Sequence, residues 1–379
     1  MKGTRAIVAG AGIGGLAAGI ALRRIGFEVT VLERSAAPRE VGSGIVIQPN
    51  GVRAVEALGV PALAMSGLQG INLRTSGGRH LSETRIGSYR ERYGSEVMVV
   101  ARSDLHSLLI ETLGRDRVTA AAEVTGYEIG TGQVTVKLRD GRRLEADLLI
   151  GADGLRSAVR AQMLEDGEPR YLGCTAWRAT TDLAGSGLQG GQGLNWWGPG
   201  GEFGVLPMGR SVYWFATANA ALGGVDPPGA ARIQALLDRF GGWEAPIADV
   251  IASTPPDAIL RNDLYDRPPA RRWLDGPVAL LGDAAHPMAP NAAQGACQAL
   301  EDAAALGAAL AEGRPIDAGL AAYQRLRLNR ANELVRLSRQ ISATVQTESR
   351  LLRNVRNLAA RLMPERLLLS QMDRILRGS

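Results

Sequence analysis

AIVAGAGIGGLAAGIALRRIGFEVTVLER spans Ala6 to Arg34 and holds two apolar runs separated by a glycine-rich turn and a helical stretch. Ala6–Ala9 reads as a buried strand. Gly10, Gly12 and Gly15 take the first, third and sixth places of the turn, with Gly14 between the last two. A helix is predicted from Leu16 to Arg24, then Gly26, then a second strand over Val29–Leu32 closed by Glu33 and Arg34. Each part has a task in a dinucleotide site: Gly10 permits the tight turn, Gly12 lets the backbone approach a pyrophosphate, and Gly15 allows close helix–strand packing. Free amides at the helix start favour phosphate charge, and Glu33 is placed to accept from ribose hydroxyls. A glycine-rich turn alone occurs for structural reasons; strand, turn, helix, strand and terminal acid in one unit specify nucleotide binding. The uncharged run Ala6–Leu22 is too short and too glycine-broken for a membrane span, and it leads into a strand.

At 379 residues, two domains are expected. A hydrophobic content of 45% with 21% charged residues describes a globular chain, not a disordered one. Cys174 and Cys297 are far apart and His80, His106 and His286 are scattered, so neither a disulfide framework nor a metal site is signalled; a reducing cytoplasm fits. The net charge of +5 is arginine charge, since Lys2 and Lys137 are the only lysines. From Tyr323 onward twelve arginines face Glu333, Glu348, Glu365 and Asp373, which makes the basic excess a property of the C-terminal helices. It is not a chain-wide nucleic-acid footprint.

Downstream, Asn50 is expected to cap a helix over about Gly51–Leu58, and Ser103 or Asp104 one that begins at Arg102 and carries His106. Gln133–Leu138 and Arg143–Leu148 form a hairpin across Asp140-Gly141. DLLIGADGLRSAVR, Asp147 to Arg160, is an apolar strand, an Asp-Gly turn and a helix start. From Ala176 to about Asp263, short alternating runs predict an antiparallel sheet holding five of the six tryptophans, compatible with sheet packing or with a pocket for a flat apolar ligand. Strand Val278–Leu281 precedes Gly282-Asp283, and a long helix follows Gln294-Gly295-Ala296. The chain is then helical from Pro315 to its end, broken near Pro364.

The glycine loop with Glu33, the Asp153-Gly154 stretch, and LLGDAAHPMAPNAAQGACQALEDA around Gly282-Asp283 stand in one order. Together they resemble the single-component FAD aromatic hydroxylases typified by p-hydroxybenzoate hydroxylase. The resemblance covers essentially the whole chain. It implies an α/β fold: a Rossmann-like FAD domain (1–70, 98–172 and 273–345), an inserted antiparallel substrate sheet (71–97 and 173–272), and a C-terminal helical segment (346–379). It implies that Asp283 meets the ribityl hydroxyls, that the amides of Gln294, Gly295 and Ala296 face the flavin pyrimidine edge, and that Arg102 contacts FAD. Asp153 would touch flavin and a transient nicotinamide, and the Pro290 carbonyl would lie beside the reacting substrate.

The implied activity is NAD(P)H-dependent hydroxylation of a planar aromatic or polycyclic small molecule, with oxygen adding at the flavin C4a and the hydroperoxide transferring one oxygen atom. An epoxidase, a dehydrogenase, or a non-catalytic escort protein on the same fold are the alternatives; the intact nucleotide motifs argue against the escort. A flavin halogenase is disfavoured because neither lysine is suitably placed and Trp196 and Trp197 are adjacent. With no histidine between Ala176 and Asp263, Tyr213 is the candidate to hydrogen-bond the substrate or relay its proton, and Arg178 or Arg210 to meet a carboxylate. A monomer or homodimer is expected. Leu351, Leu352, Val355, Leu358, Ala359 and Leu362 recur at helical spacing among arginines, which suits packing on the protein, a dimer mate, or an anionic membrane surface.

Overall fold

The structure is a computed structural model and describes residues 3–36, 43–61, 66–182, 191–311 and 314–377. Its centre is a six-stranded sheet ordered Leu274–Asp275, Val278–Leu280, Leu148–Gly151, Arg5–Ala9, Glu28–Leu32 and Val118–Thr119. Apart from the antiparallel edge strand Leu274–Asp275, its pairings are parallel. Buried on both faces, its inner strands are continuous apolar runs, as a covered parallel sheet requires. The register sets Ala9 beside Gly151 and Gly151 beside Leu280. The three motif turns, far apart in sequence, therefore leave the same edge of three adjacent strands. That edge is where ligands sit in doubly wound sheets.

In chain order the helices are α1 (Ile13–Arg24), α2 (Pro49–Ala57), α3 (Tyr89–Tyr93), α4 (Arg102–Leu113), α5 (Ala158–Leu164), α6 (Ala230–Phe240), α7 (Ile247–Ala252), α8 (Gly295–Leu310), α9 (Ile316–Val345), α10 (Arg350–Leu362) and α11 (Glu365–Leu376). Helix α1 lies so close to α8 that a Cβ on Gly14 would come within 2.9 Å of Leu281 and 3.1 Å of Ala299. Gly14 thus serves helix packing.

The second large sheet has seven strands, ordered Leu260–Asp266, Arg170–Asp182, Ser211–Asn219, Gly201–Met208, Gln192–Gly198, Gly70–Thr75 and His80–Arg85. It is antiparallel except where Gln192–Gly198 meets Gly70–Thr75, a parallel joint between two separate chain segments. Its outer face buries Trp177, Trp196, Phe203 and Trp214 under α6 and α7, with Phe203 stacked on Trp214 at 5.3 Å. Those two helices were not read from the sequence. They turn most of the tryptophan enrichment into core packing rather than a ligand pocket. The opposite face, carrying Arg178, Glu202, Tyr213 and Phe215, turns toward the nucleotide domain: a Cβ on Gly44 would stand 2.3 Å from the Tyr213 ring. Gly44 belongs to a small sheet of Gly44–Ile47, Met98–Ala101 and Ser66–Gly67 wedged between the two large ones.

Three local expectations are corrected. Helix α1 starts at Ile13, inside the glycine run, rather than at Leu16. Helix α2 starts at Pro49, whose ring suits a first turn, and Asn50 is spent on a buried hydrogen bond to Gln294 instead of a cap. Helix α4 follows Ala101 directly, with no side-chain cap from Ser103 or Asp104.

Candidate active site

The glycine loop carries the geometry its sequence promised. Gly10 has φ +99°, and a Cβ there would meet the Ala152 carbonyl at 2.4 Å. Gly12 has no atom within 4 Å of where a Cβ would be, so the backbone is bare on that side. Helix α1 begins there with no side-chain cap and no acid in its first turn, leaving its amides for an anion. Glu33 accepts from the Ala11 amide at 2.9 Å and the Ser35 amide at 2.9 Å, one on each oxygen, with lone pairs left for hydroxyls. His106 bonds the Ala11 carbonyl at 2.7 Å, so this histidine braces the loop from α4. Arg34 is exposed.

Asp153 holds the start of α5, its Oδ2 accepting from the Ala158 amide at 2.8 Å and the Val159 amide at 3.3 Å. Its Oδ1 is buried without a partner among the described residues, beside the Gly10 turn. Burial raises its pKa against the pull of Ser157 and the amides. Gly154 takes the left-handed conformation at φ +82°. The same motif ends in Arg160, wholly buried, which donates to the carbonyls of Ala284 (2.9 Å) and Ala285 (2.7 Å) and to Asp166. The Asp-Gly motif is therefore bolted to the Gly-Asp turn.

That turn is fixed from the other side by a buried ion network. Asp302 accepts from the Gly282 amide (3.0 Å), meets His286 Nε2 at 2.6 Å and Arg327 Nε at 2.8 Å; Arg327 also reaches Glu301 at 2.7 Å. Burial would raise the Asp302 carboxyl, yet His286 and Arg327 hold it down to about 2. His286 is thus engaged in holding this buried network. Asp283 itself is exposed, and a Cβ on Gly295 would stand 3.8 Å from its Oδ1, which places the acid at the mouth of α8. Gln294 is fully buried in an amide cluster with Gln48 (2.8 Å), Asn50 (2.9 Å) and Gln298 (2.8 Å). Its side chain anchors α8; Gly295 and Ala296 are left as the open helix start.

Arg102 leads α4 with its side chain accessible yet hemmed in: desolvation lowers its pKa, Asp283 raises it, and Arg178 lowers it further. Large accessible area together with desolvation marks a wall of an open cleft. The guanidiniums of Arg102 and Arg178 have no hydrogen bond or ion pair among the described residues, although the Arg102 amide donates to the Ser43 carbonyl at 2.9 Å. Both act on Tyr213, where burial raises the hydroxyl pKa and the two guanidiniums pull it down. Arg210 lies exposed at a hairpin tip.

Glu202 is a functional candidate the sequence reading missed. It is 5% exposed on the inner sheet face, accepts from Asn291 at 2.7 Å and Asn195 at 3.4 Å, and forms no ion pair among the described residues. Burial lifts its pKa to about 7 against those bonds, one from Trp197, and the field of Arg356. Asn291 follows Pro290, which is exposed, so Glu202 ties the sheet to the loop implied to flank the substrate. Only the alternation of the strand could have suggested its face, and nothing local its partner.

The bare Gly12, the open α1 amides, Glu33, the orphaned Asp153 oxygen, Asp283 and Arg102 together fit a dinucleotide carrying a hydroxylated chain and a ring system. The family profile described as FAD binding domain matches residues 3–178 and 243–338, and the chain belongs to that family. It is an FAD-dependent oxidoreductase. Aurachin C monooxygenase/isomerase of Stigmatella aurantiaca is 43% identical over 365 residues, covering 95% of this chain and 94% of that protein. FAD-dependent urate hydroxylase of Klebsiella pneumoniae is 34% identical over 349 residues, 89% of each chain. The crystal structure of Klebsiella pneumoniae HpxO with FAD and uric acid superposes with a TM-score of 0.92 at 31% identity, over 100% of this chain and 98% of that one. Within its class this chain is a monooxygenase, with NAD(P)H as reductant and oxygen as co-substrate.

Proposed function

We propose that the enzyme hydroxylates a planar aromatic or polycyclic small molecule bearing an acidic hydroxyl or oxo group, held between the inner sheet face and the Pro290 loop. The observation that carries this reading is the pair of unpartnered guanidiniums, Arg102 and Arg178, around Tyr213 on that face. For cofactor binding, Gly10, Gly12 and Gly15 with the α1 amides would hold the pyrophosphate, Glu33 and Arg34 the adenosine side, and Asp283 the ribityl hydroxyls. Arg102, Asp153, Gly154, Gly282, Gly295 and Ala296 would line the flavin. Bound there, FAD supplies electron transfer from NAD(P)H and activation of oxygen.

The chain's own residues prepare the substrate. Two nearby cations favour the phenolate over the phenol, which makes the ring a better nucleophile. Tyr213, kept protonated by burial, donates to that oxygen and fixes the ring's orientation. Phe215 offers a flat apolar surface beside it, and the Pro290 carbonyl faces the reacting edge. Glu202 acts through Asn291 as a positioning residue for that loop.

A second reading, epoxidation, has support from zeaxanthin epoxidase of Solanum lycopersicum, 32% identical over 370 residues, 91% of this chain but 55% of that one. The working domain division is 1–70, 98–172 and 273–345 for FAD against 71–97 and 173–272 for substrate. A cytoplasmic monomer or homodimer completes the proposal. A screen of planar aromatics for faster NAD(P)H oxidation tests it. Hydroxyl- or oxo-bearing ring compounds should accelerate oxidation and gain one oxygen atom. Acceleration confined to non-aromatic alkenes, with epoxide products, would replace hydroxylation by the second reading.

A further inference from the structure

Helix α10 is packed inside out. Its polar side is the buried one: Arg356 and Asn357 are 7% and 9% exposed. Arg356 donates to the Val345 carbonyl at 3.0 Å and stacks over Trp197 at 5.0 Å. Its apolar side faces out, with Leu351 at 72%, Leu358 at 55% and Leu362 at 68% exposed, and Leu352 and Val355 between them. Of the eleven large hydrophobic side chains exposed among the described residues, seven lie between Leu351 and Leu367. The rest, Ile129, Leu222, Val225 and Leu326, are dispersed along the chain. Five of the seven lie on α10 itself, and an apolar face so concentrated marks an interaction surface rather than ordinary surface wear.

The charge around that face selects the occupant. Residues 346–379 hold seven arginines against Glu348, Glu365 and Asp373, and Asp373 is already paired with Arg92 at 2.7 Å. Arg350, Arg361 and Arg366 are exposed along the apolar stripe. A two-fold contact between copies would set this cationic rim against itself, whereas an anionic lipid surface neutralises it and takes up the leucines. We infer that α10 docks the enzyme on anionic lipid bilayers, its leucine face in the headgroup–acyl boundary and its arginines on lipid phosphates. The inference rests on α10 and not on the oxygenase reading. Because Arg356 also touches Trp197 of the substrate sheet, docking would bring that sheet to the lipid surface.

Flotation of the FAD-loaded full chain with phosphatidylcholine vesicles, with and without phosphatidylglycerol, tests it. The protein should float with anionic vesicles and bind neutral ones at least about tenfold more weakly. A Leu351→Gln, Leu358→Gln variant should lose flotation while keeping its melting temperature and flavin content, since both side chains are already in water. Arg350→Gln, Arg361→Gln should remove the preference for anionic lipid. Absence of lipid binding, equal binding to both vesicle types, or a concentration-dependent dimer in light scattering that the leucine variant abolishes would overturn the inference.

Discussion

Glu202 is where burial and chemistry conflict most sharply on the inner sheet face. A carboxyl whose folded pKa stands near 7, against an ordinary 4.5, favours the folded state when protonated. Its contribution is therefore complete below about pH 4.5 and is lost as pH rises toward 7. The size is on the order of 3 kcal/mol at about 1.36 kcal/mol per unit. Glu202→Gln keeps the hydrogen-bonding shape without the charge. Melting temperatures of the two apo proteins should converge at low pH, with the variant pulling ahead between pH 4.5 and 7; parallel curves would show that Glu202 does not titrate in that window. Tyr213→Phe tests the neighbouring group. It should retain FAD and substrate-stimulated NAD(P)H oxidation yet divert oxygen to hydrogen peroxide, lowering coupled product by about 10²-fold. Unchanged rate and coupling would remove Tyr213 from the chemistry.

At the scale of elements, the decisive feature is that three turns separated by more than a hundred residues leave one sheet edge, two of them bolted together by the buried Arg160. Arg160→Ala would leave the Ala284 and Ala285 carbonyls without their donor and should cost about 3 kcal/mol, read by denaturant unfolding, with weaker FAD retention. Asp283→Ala, by contrast, removes an exposed side chain and should fold normally but purify largely colourless; full flavin occupancy would cancel its role. The difference explains what was legible beforehand. The glycine loop, Asp-Gly and Gly-Asp turns were readable because their roles are local, carried by backbone freedom and the next few residues. Glu202 was not, because its partner Asn291 lies 89 residues away. Helices α6 and α7 were masked by glycine and proline around them. The periodicity of α10 was plain, but a hydrophobic stripe has no sign: only packing reveals that the side carrying Arg356 and Asn357 points inward.

Across the whole molecule, the parallel sheet presents its motif turns along one edge and the mixed sheet closes over them with a cationic, aromatic inner face. Outer-face tryptophans and α6 and α7 make that sheet rigid, so the chamber wall is a scaffold rather than a loop. In the proposed reaction this chamber moves an oxygen atom from molecular oxygen into a planar aromatic substrate. The most direct measurement is mass spectrometry of product formed by the purified yellow protein with NAD(P)H under heavy-isotope oxygen. One labelled oxygen atom per product molecule, incorporated into a ring-bearing substrate, is the predicted result. Product formed without label, or substrate-stimulated NAD(P)H consumption in which all the oxygen leaves as hydrogen peroxide, would contradict it.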